Sequence, residues 1–171
     1  MPEKRTLERA RRDKREGKAA TTQAGEFIRE EMDHIREGKH GARSTKQAIA
    51  IGLSKARRSG VDLPPPKSGT TSEKTRKSAA RAYARGHGAP ARRKSSAKRT
   101  RASERALQRE GRSAASPRAL ARQTRSAAAR RTKASRSASA RKAVRTKGPV
   151  ARSAAARRAA RTREMRPGAH A

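Results

Sequence analysis

The residues best suited to chemistry in this chain are its cations. Beyond Leu63 stand 32 lysines and arginines against four acidic residues. Ammonium and guanidinium groups at that density neutralise phosphates. Duplex DNA carries one charge per ~1.7 Å of axis, and each neutralised phosphate releases counterions. Arginine makes up 24 of the 32 and can fork onto one phosphate with two parallel hydrogen bonds. The candidate nucleic-acid-binding residues are Lys55, Arg57, Arg58, Lys74, Arg76, Lys77, Arg92, Arg93, Lys94, Lys98, Arg99, Arg101, Arg130, Arg131, Lys133, Arg141, Lys142, Arg157, Arg158, Arg161 and Arg163. In the tail they fall on every side of any helix drawn through them. That suits backbone neutralisation rather than base reading. Tyr83 is the one aromatic residue past Leu63, so stacking platforms for single strands are missing and duplex DNA or structured RNA is the expected partner.

Other chemistry finds little to work with. There is no cysteine, hence no disulfide, thiolate metal site or cysteine nucleophile. Glu30, Glu31 and His34 have types suited to acid–base or metal chemistry, but their spacing is also that of ordinary helix-surface neighbours. His40, His87 and His170 are scattered, and no histidine pair shares a metal-ligand spacing with a third ligand. No glycine-rich phosphate loop ends in Gly-Lys-Ser/Thr. The chain is therefore expected to be no enzyme and to need no cofactor or metal. No apolar window is long enough to span a membrane. The tail lacks the apolar face that surface binding to lipid requires. No apolar run of a signal peptide begins the chain. The expected location is cytoplasmic, at the nucleoid.

The elements that must position these groups centre on STKQAIAIGLSKARRSGVDL, residues 44–63, the densest apolar segment. Ser44 and Gln47 make a capping box, and Ile49, Leu53 and Ala56 form one helical stripe. Lys55, Arg57 and Arg58 crowd the last turn, favourably against the helix dipole. Gly60 can stop the helix, with Val61 folding back on it. A helix capped by Thr21 or Thr22 and running to Glu37 precedes it. Its stripe is Ala24, Ile28, Met32 and Ile35, with Phe27 at the margin. Its acidic side holds Glu26, Glu30, Glu31, Asp33 and Glu37, either as a solvated face or as a loose hold on the basic tail. The two helices should pack antiparallel through a core of Phe27, Ile28, Met32, Ile35, Ile49, Leu53, Val61 and Leu63. So small a module is marginal alone and is expected to self-associate or to need a ligand. Residues 6–16 read as a short polar helix.

Past Pro64-Pro65-Pro66, a stiff extended spacer, composition changes. Residues 1–62 hold 16 basic against 10 acidic residues, net +6, whereas the remainder is net +28. The only large apolar residues after Leu63 are Tyr83, Leu107, Leu120, Val144, Val150 and Met165, too few to order about a hundred residues. Little of this region should pack on the 44–60 helix. Helix potential is concentrated in residues 73–85, 104–110, 117–131 and 150–165, with Ser116-Pro117 a favoured helix start. SAAR-like units at Ser78, Ser113, Ser126 and Ser153 have no fixed period. The expected fold class is all-α. It comprises a polar helix in 1–20, a helical hairpin in 21–63, a linker in 64–72 and a basic low-complexity tail in 73–171, mostly disordered with transient helices.

The segment GKHGARSTKQAIAIGLSKARRSG, residues 38–60, resembles the core motif of small, basic, uncharacterised bacterial proteins. The likeness extends over about residues 20–85, including LPPPKSGTTSEKTRKSAARAYARG, and implies no activity. The tail resembles those of histone H1-like bacterial nucleoid proteins, but with a single Ser-Pro where linker histones repeat that motif. Together the residues and the likeness point to sequence-tolerant DNA binding and compaction. An RNA- or ribosome-associated role is the first alternative. A stress or plasmid-maintenance interaction protein acting through the hairpin is the second.

Overall fold

The computed structural model describes residues 2–90 and 96–165. Among these every regular element is helical: α1 (Lys4–Arg15), α2 (Ala20–Glu37), α3 (Thr45–Arg58), α4 (Glu73–Gly86), α5 (Ala97–Gln108), a 3₁₀ turn (Ser113–Ala115), α6 (Pro117–Ala129) and α7 (Lys133–Glu164). The chain is all-α. It divides into two units, Met1–Gln123 and Thr124–Ala171.

Local chemistry sets the helix ends of the first unit. Ser44 accepts from the Gln47 N–H at 3.2 Å, the expected cap. The Gln47 side chain reaches one residue further than a capping box requires, accepting from the Arg43 N–H at 3.0 Å. Gly38 (φ +79°) and Gly60 (φ +81°) close α2 and α3 in the left-handed conformation, and the Val61 N–H returns to the Ala56 carbonyl at 3.2 Å. The α2 start differs from the sequence reading. Ala19 occupies the cap position, and neither Thr21 nor Thr22 caps the helix. Gln23 instead donates from its side chain to the Lys18 carbonyl at 2.9 Å, tying the α1–α2 turn from inside the helix.

α2 is the middle layer. It packs on α1 along one side and on α3 along another, so its apolar surface is wider than a single stripe. Phe27, assigned to the margin from the sequence, is 1% exposed and sits with Ala10, Ala24, Ala56 and Val61, with Leu7, Leu53 and Leu63 beside them. Met32 and Ile35 form a second cluster with Ala42, Ala48, Ala114 and Ala115, flanked by half-buried Ile28, Ile49 and Leu120.

The buried face of α3 also differs from the expected stripe. Ile49 and Leu53 are only half buried. Ala48, Gly52 and Ala56 lie innermost, one every four residues. A Cβ on Gly52 would stand 2.8 Å from Ile28 Cα, so the two helices meet nearly backbone to backbone. Seams of small residues allow such approach, and the larger side chains then fill the flanks.

The region past Leu63 contributes to this unit, contrary to the expectation that little of it packs on α3. Ala79 and Ala82 bury the inner side of α4 against α3. Tyr83 donates to Asp62 Oδ1 at 2.6 Å. The chain then returns to the α2–α3 turn. The Gly41 and Ala42 N–H groups donate to the carbonyls of Leu107 (2.9 Å) and Gly111 (3.2 Å). Thr45 Oγ1 donates to the Ala114 carbonyl at 2.7 Å and Arg36 Nε to that of Ala115 at 3.2 Å. Counting only large apolar residues hid this docking, because alanines and backbone groups make it. In the second unit α7 is broken at Gly148 (φ +68°), just before Pro149.

Gly52→Ala is expected to lower unfolding free energy by about 1–3 kcal/mol through overpacking against Ile28. Urea melts of the two proteins check this. An unchanged midpoint would mean that α2 and α3 can part without cost.

Candidate functional site

Three helices deliver polar groups to one buried point. Adjacent positions on α2 place Glu30 and Glu31 inward, their side chains 2% and 1% exposed. Lys55 reaches across from α3, its ammonium 3.2 Å from Glu30 Oε1 and 2.7 Å from Glu31 Oε2. From the start of α1, the Glu3 N–H donates to Glu30 Oε2 at 3.1 Å. Burial alone would raise the Glu30 pKa. Hydrogen bonds from the Thr6 hydroxyl, the Glu3 N–H and Lys55 outweigh it and hold Glu30 below the ordinary 4.5. Thr6 itself is fully buried.

The rim of this cluster holds two histidines. His40 Nε2 lies 3.3 Å from Glu31 Oε1, and its Nδ1 lies 3.1 Å from the Gly41 carbonyl. His34 Nε2 lies 2.8 Å from Glu3 Oε1, which also receives Lys39 Nζ at 3.3 Å. The contacts from His34 and then Lys39 hold the Glu3 carboxyl below its ordinary range. One ligand atom each from Glu31, His34 and His40 falls within 4.8 Å of the others. Sequence spacing did not reveal this trio, because His40 comes from the turn after α2 and only the reversal of the chain brings it back.

Of the three predicted phosphate contacts on α3, two are engaged within the chain. Lys55 is spent on the two glutamates and does not face outward. Arg57 is 7% exposed and donates from Nε to the Leu63 carbonyl (3.0 Å) and from Nη2 to that of Pro64 (3.3 Å), holding the start of the proline spacer. Arg58 stays exposed, with partial desolvation and then nearby Arg85 lowering its pKa. Both engagements have one cause: a cation in the last turn of a helix is held when acceptors of the chain itself lie within its reach. The acidic side of α2 is divided: Glu26, Glu30 and Glu31 turn inward, whereas Asp33 and Glu37 stay solvated in surface pairs. Glu26 pairs with Arg9 at 2.6 Å, Asp33 with Arg36 at 3.1 Å and Glu37 with Lys39 at 2.9 Å.

The remaining predicted cations lie outside. Lys74 and Lys77 are exposed on α4, and Arg76 is half buried and forked onto Glu73 at 2.8 and 2.9 Å. Lys98, Arg99 and Arg101 are exposed on α5. Arg130 and Arg131 are exposed between α6 and α7, with Arg131 donating to Ser135 and Ser139. Lys133, Arg141, Lys142, Arg157, Arg158, Arg161 and Arg163 are exposed on α7. Arg92, Arg93 and Lys94 lie outside the described residues. α5, α6 and α7 bury no residue, and among the described residues no salt bridge involves a cation beyond Arg76. No described helix is long and apolar enough to cross a membrane.

Residues 11–67 match the model of a family of unknown function (DUF6496). That span carries α2, α3, the buried Glu30–Glu31–Lys55 cluster and both histidines, and it stops before α4. No curated protein and no solved structure matches the chain.

Lys55→Met should strand two buried carboxylates and cost about 3–5 kcal/mol of stability, whereas Arg58→Met should leave the urea midpoint nearly unchanged. Because Glu30 is depressed in the folded state, its contribution is complete above pH 4.5 and is lost as pH falls through its lower folded value. The wild-type midpoint should therefore fall more steeply below pH 4.5 than that of Glu30→Gln. Parallel curves would remove Glu30 from the account.

Proposed function

We propose that the chain binds duplex DNA with little sequence preference and condenses it, as a histone H1-like, nucleoid-associated protein. What supports this reading above all is the unpaired charge of α5, α6 and α7. Their cations stand exposed, with no counter-ion from the chain among the described residues; they surround α7, whereas Arg118, Arg122 and Arg125 line the side of α6 away from Leu120. Helix α7 can contact phosphates from any approach, α6 from one side, and each contact releases counterions in proportion to the phosphates met. Helix α3 adds little to this charge, because its Lys55 and Arg57 are engaged inside. Association of copies through the α2–α3 pair would multiply the tails on one duplex and raise avidity.

Helix and ligand are coupled in this reading. Arg141 with Arg145 and Arg157 with Arg161 are like-charge pairs four residues apart, each a small cost to the helix. With no buried face to offset that cost, α5 and α7 are transient in the free chain and gain order when phosphates cancel the repulsion.

Binding isotherms at several salt concentrations test the proposal. If a third of the 32 tail cations engage, about ten phosphates are met and the logarithmic salt slope is about −9. Ending the chain at Gln123 removes 15 of those 32 cations and should roughly halve the slope. Far-ultraviolet circular dichroism should show a gain of helix on saturation with DNA. Structured RNA outcompeting duplex DNA would move the reading to RNA, and indifference to both at low salt would overturn it.

A further inference from the structure

We propose that Glu31, His34 and His40 bind one divalent transition-metal cation, zinc by preference, at the junction between α2 and the turn that follows it. Their ligand atoms already lie within 4.8 Å of one another. A tetrahedron built on ~2.1 Å bonds has edges of about 3.4 Å, so side-chain rotation of about an ångström closes the site.

The hydrogen bonding of His40 argues for a cation there independently of that spacing. Its Nδ1 faces the Gly41 carbonyl at 3.1 Å, an acceptor, so Nδ1 carries the proton. In the neutral ring Nε2 then presents a lone pair to Glu31 Oε1, a second acceptor, at 3.3 Å. Nε2 and Glu31 Oε1 then face each other as two ligand atoms of one cation would. A carbonyl on Nδ1 with a ligating Nε2 is the arrangement in which metal-bound histidines are commonly held. The carboxylate is prepared in the same way. Lys55 takes Glu31 Oε2 at 2.7 Å and leaves Oε1 toward the histidines. Burial at 1% exposure shields that oxygen from water. Glu3 Oε1, 2.8 Å from His34 Nε2, steadies the second ring at the rim.

Two imidazoles and one carboxylate select zinc, cobalt, nickel or copper over calcium and magnesium, which prefer all-oxygen sites. The net charge of +34 opposes adventitious cation binding, so a stoichiometric site has to be a built one. The metal would join α2 to the same turn whose Gly41 and Ala42 N–H groups hold residues 107 and 111. Loading the site therefore tightens the docking of the returning segment.

Isothermal titration of the full chain with zinc sulfate should give one site of micromolar affinity or better, unaffected by excess magnesium. Cobalt should give visible absorption bands of a tetrahedral site. His40→Ala and His34→Gln should each abolish binding, and His87→Ala should retain it. Glu31→Gln is less informative because it also disturbs Lys55, which is why the two rim histidines carry the test. Zinc should also slow amide exchange at Gly41 and Ala42 in the wild type but not in His40→Ala. No zinc binding, or binding that both histidine variants retain, would overturn the proposal. In that case an imidazolium proton lies between His40 Nε2 and Glu31 Oε1.

Discussion

Two helices can run backbone to backbone only where a side chain is missing, and Gly52 is where this chain permits it. The place a Cβ would take is already occupied by the backbone of Ile28. Ala48 and Ala56 extend the same seam by a turn in each direction. The closeness has a consequence for polar groups as well as apolar ones. Lys55, three residues past Gly52, comes near enough to α2 for its ammonium to meet Glu30 and Glu31 directly. A bulkier seam would push the helices apart and leave two carboxylates in a poorly solvated space without a partner, which is far costlier than losing a methyl contact.

That arrangement divides the charge of the molecule into two regimes. In the first helices, carboxylates and cations cancel at close range, several of them out of water. Arg9 with Glu26, Lys18 with Asp13 and Lys55 with two glutamates are examples. Beyond Arg76 the described cations have no such partners, and nearly all of them are exposed. Salt screens exposed charge of the second kind strongly and buried pairs of the first kind little. Ionic strength thus acts on the outer helices while leaving the inner cluster nearly untouched.

The turn between α2 and α3 joins these regimes. It supplies His40 to the buried cluster and N–H groups to the returning chain, all within a few residues. Gly41 has to be glycine because the backbone of Glu110 lies where its side chain would project. The return is held by main-chain hydrogen bonds and by Ala114 and Ala115, both buried, with half-buried Leu120 beside them. The helical hairpin, marginal by its own side chains, is covered on one side by α4 and at its turn by this segment.

Much of the architecture could be read without coordinates. The all-α class, the Ser44 cap, the glycine stop at 60, the helix starting at Pro117 and the uneven distribution of charge all follow from residues within a turn of one another or from composition. Capping, backbone conformation and helical periodicity act over about four residues, so local sequence is enough to specify them. The stretch 133–147 of α7 escaped notice because it has neither apolar periodicity nor an acidic first turn to announce it. Only tertiary packing decided which side of α3 faces inward, since a seam of Ala48, Gly52 and Ala56 outranks Ile49 and Leu53 once backbones approach. It alone determined that Lys55 and Arg57 are consumed inside, and that Glu31, His34 and His40 meet. Those outcomes depend on what stands opposite each side chain across a helix interface or a reversed turn. No rule of short-range spacing contains that information.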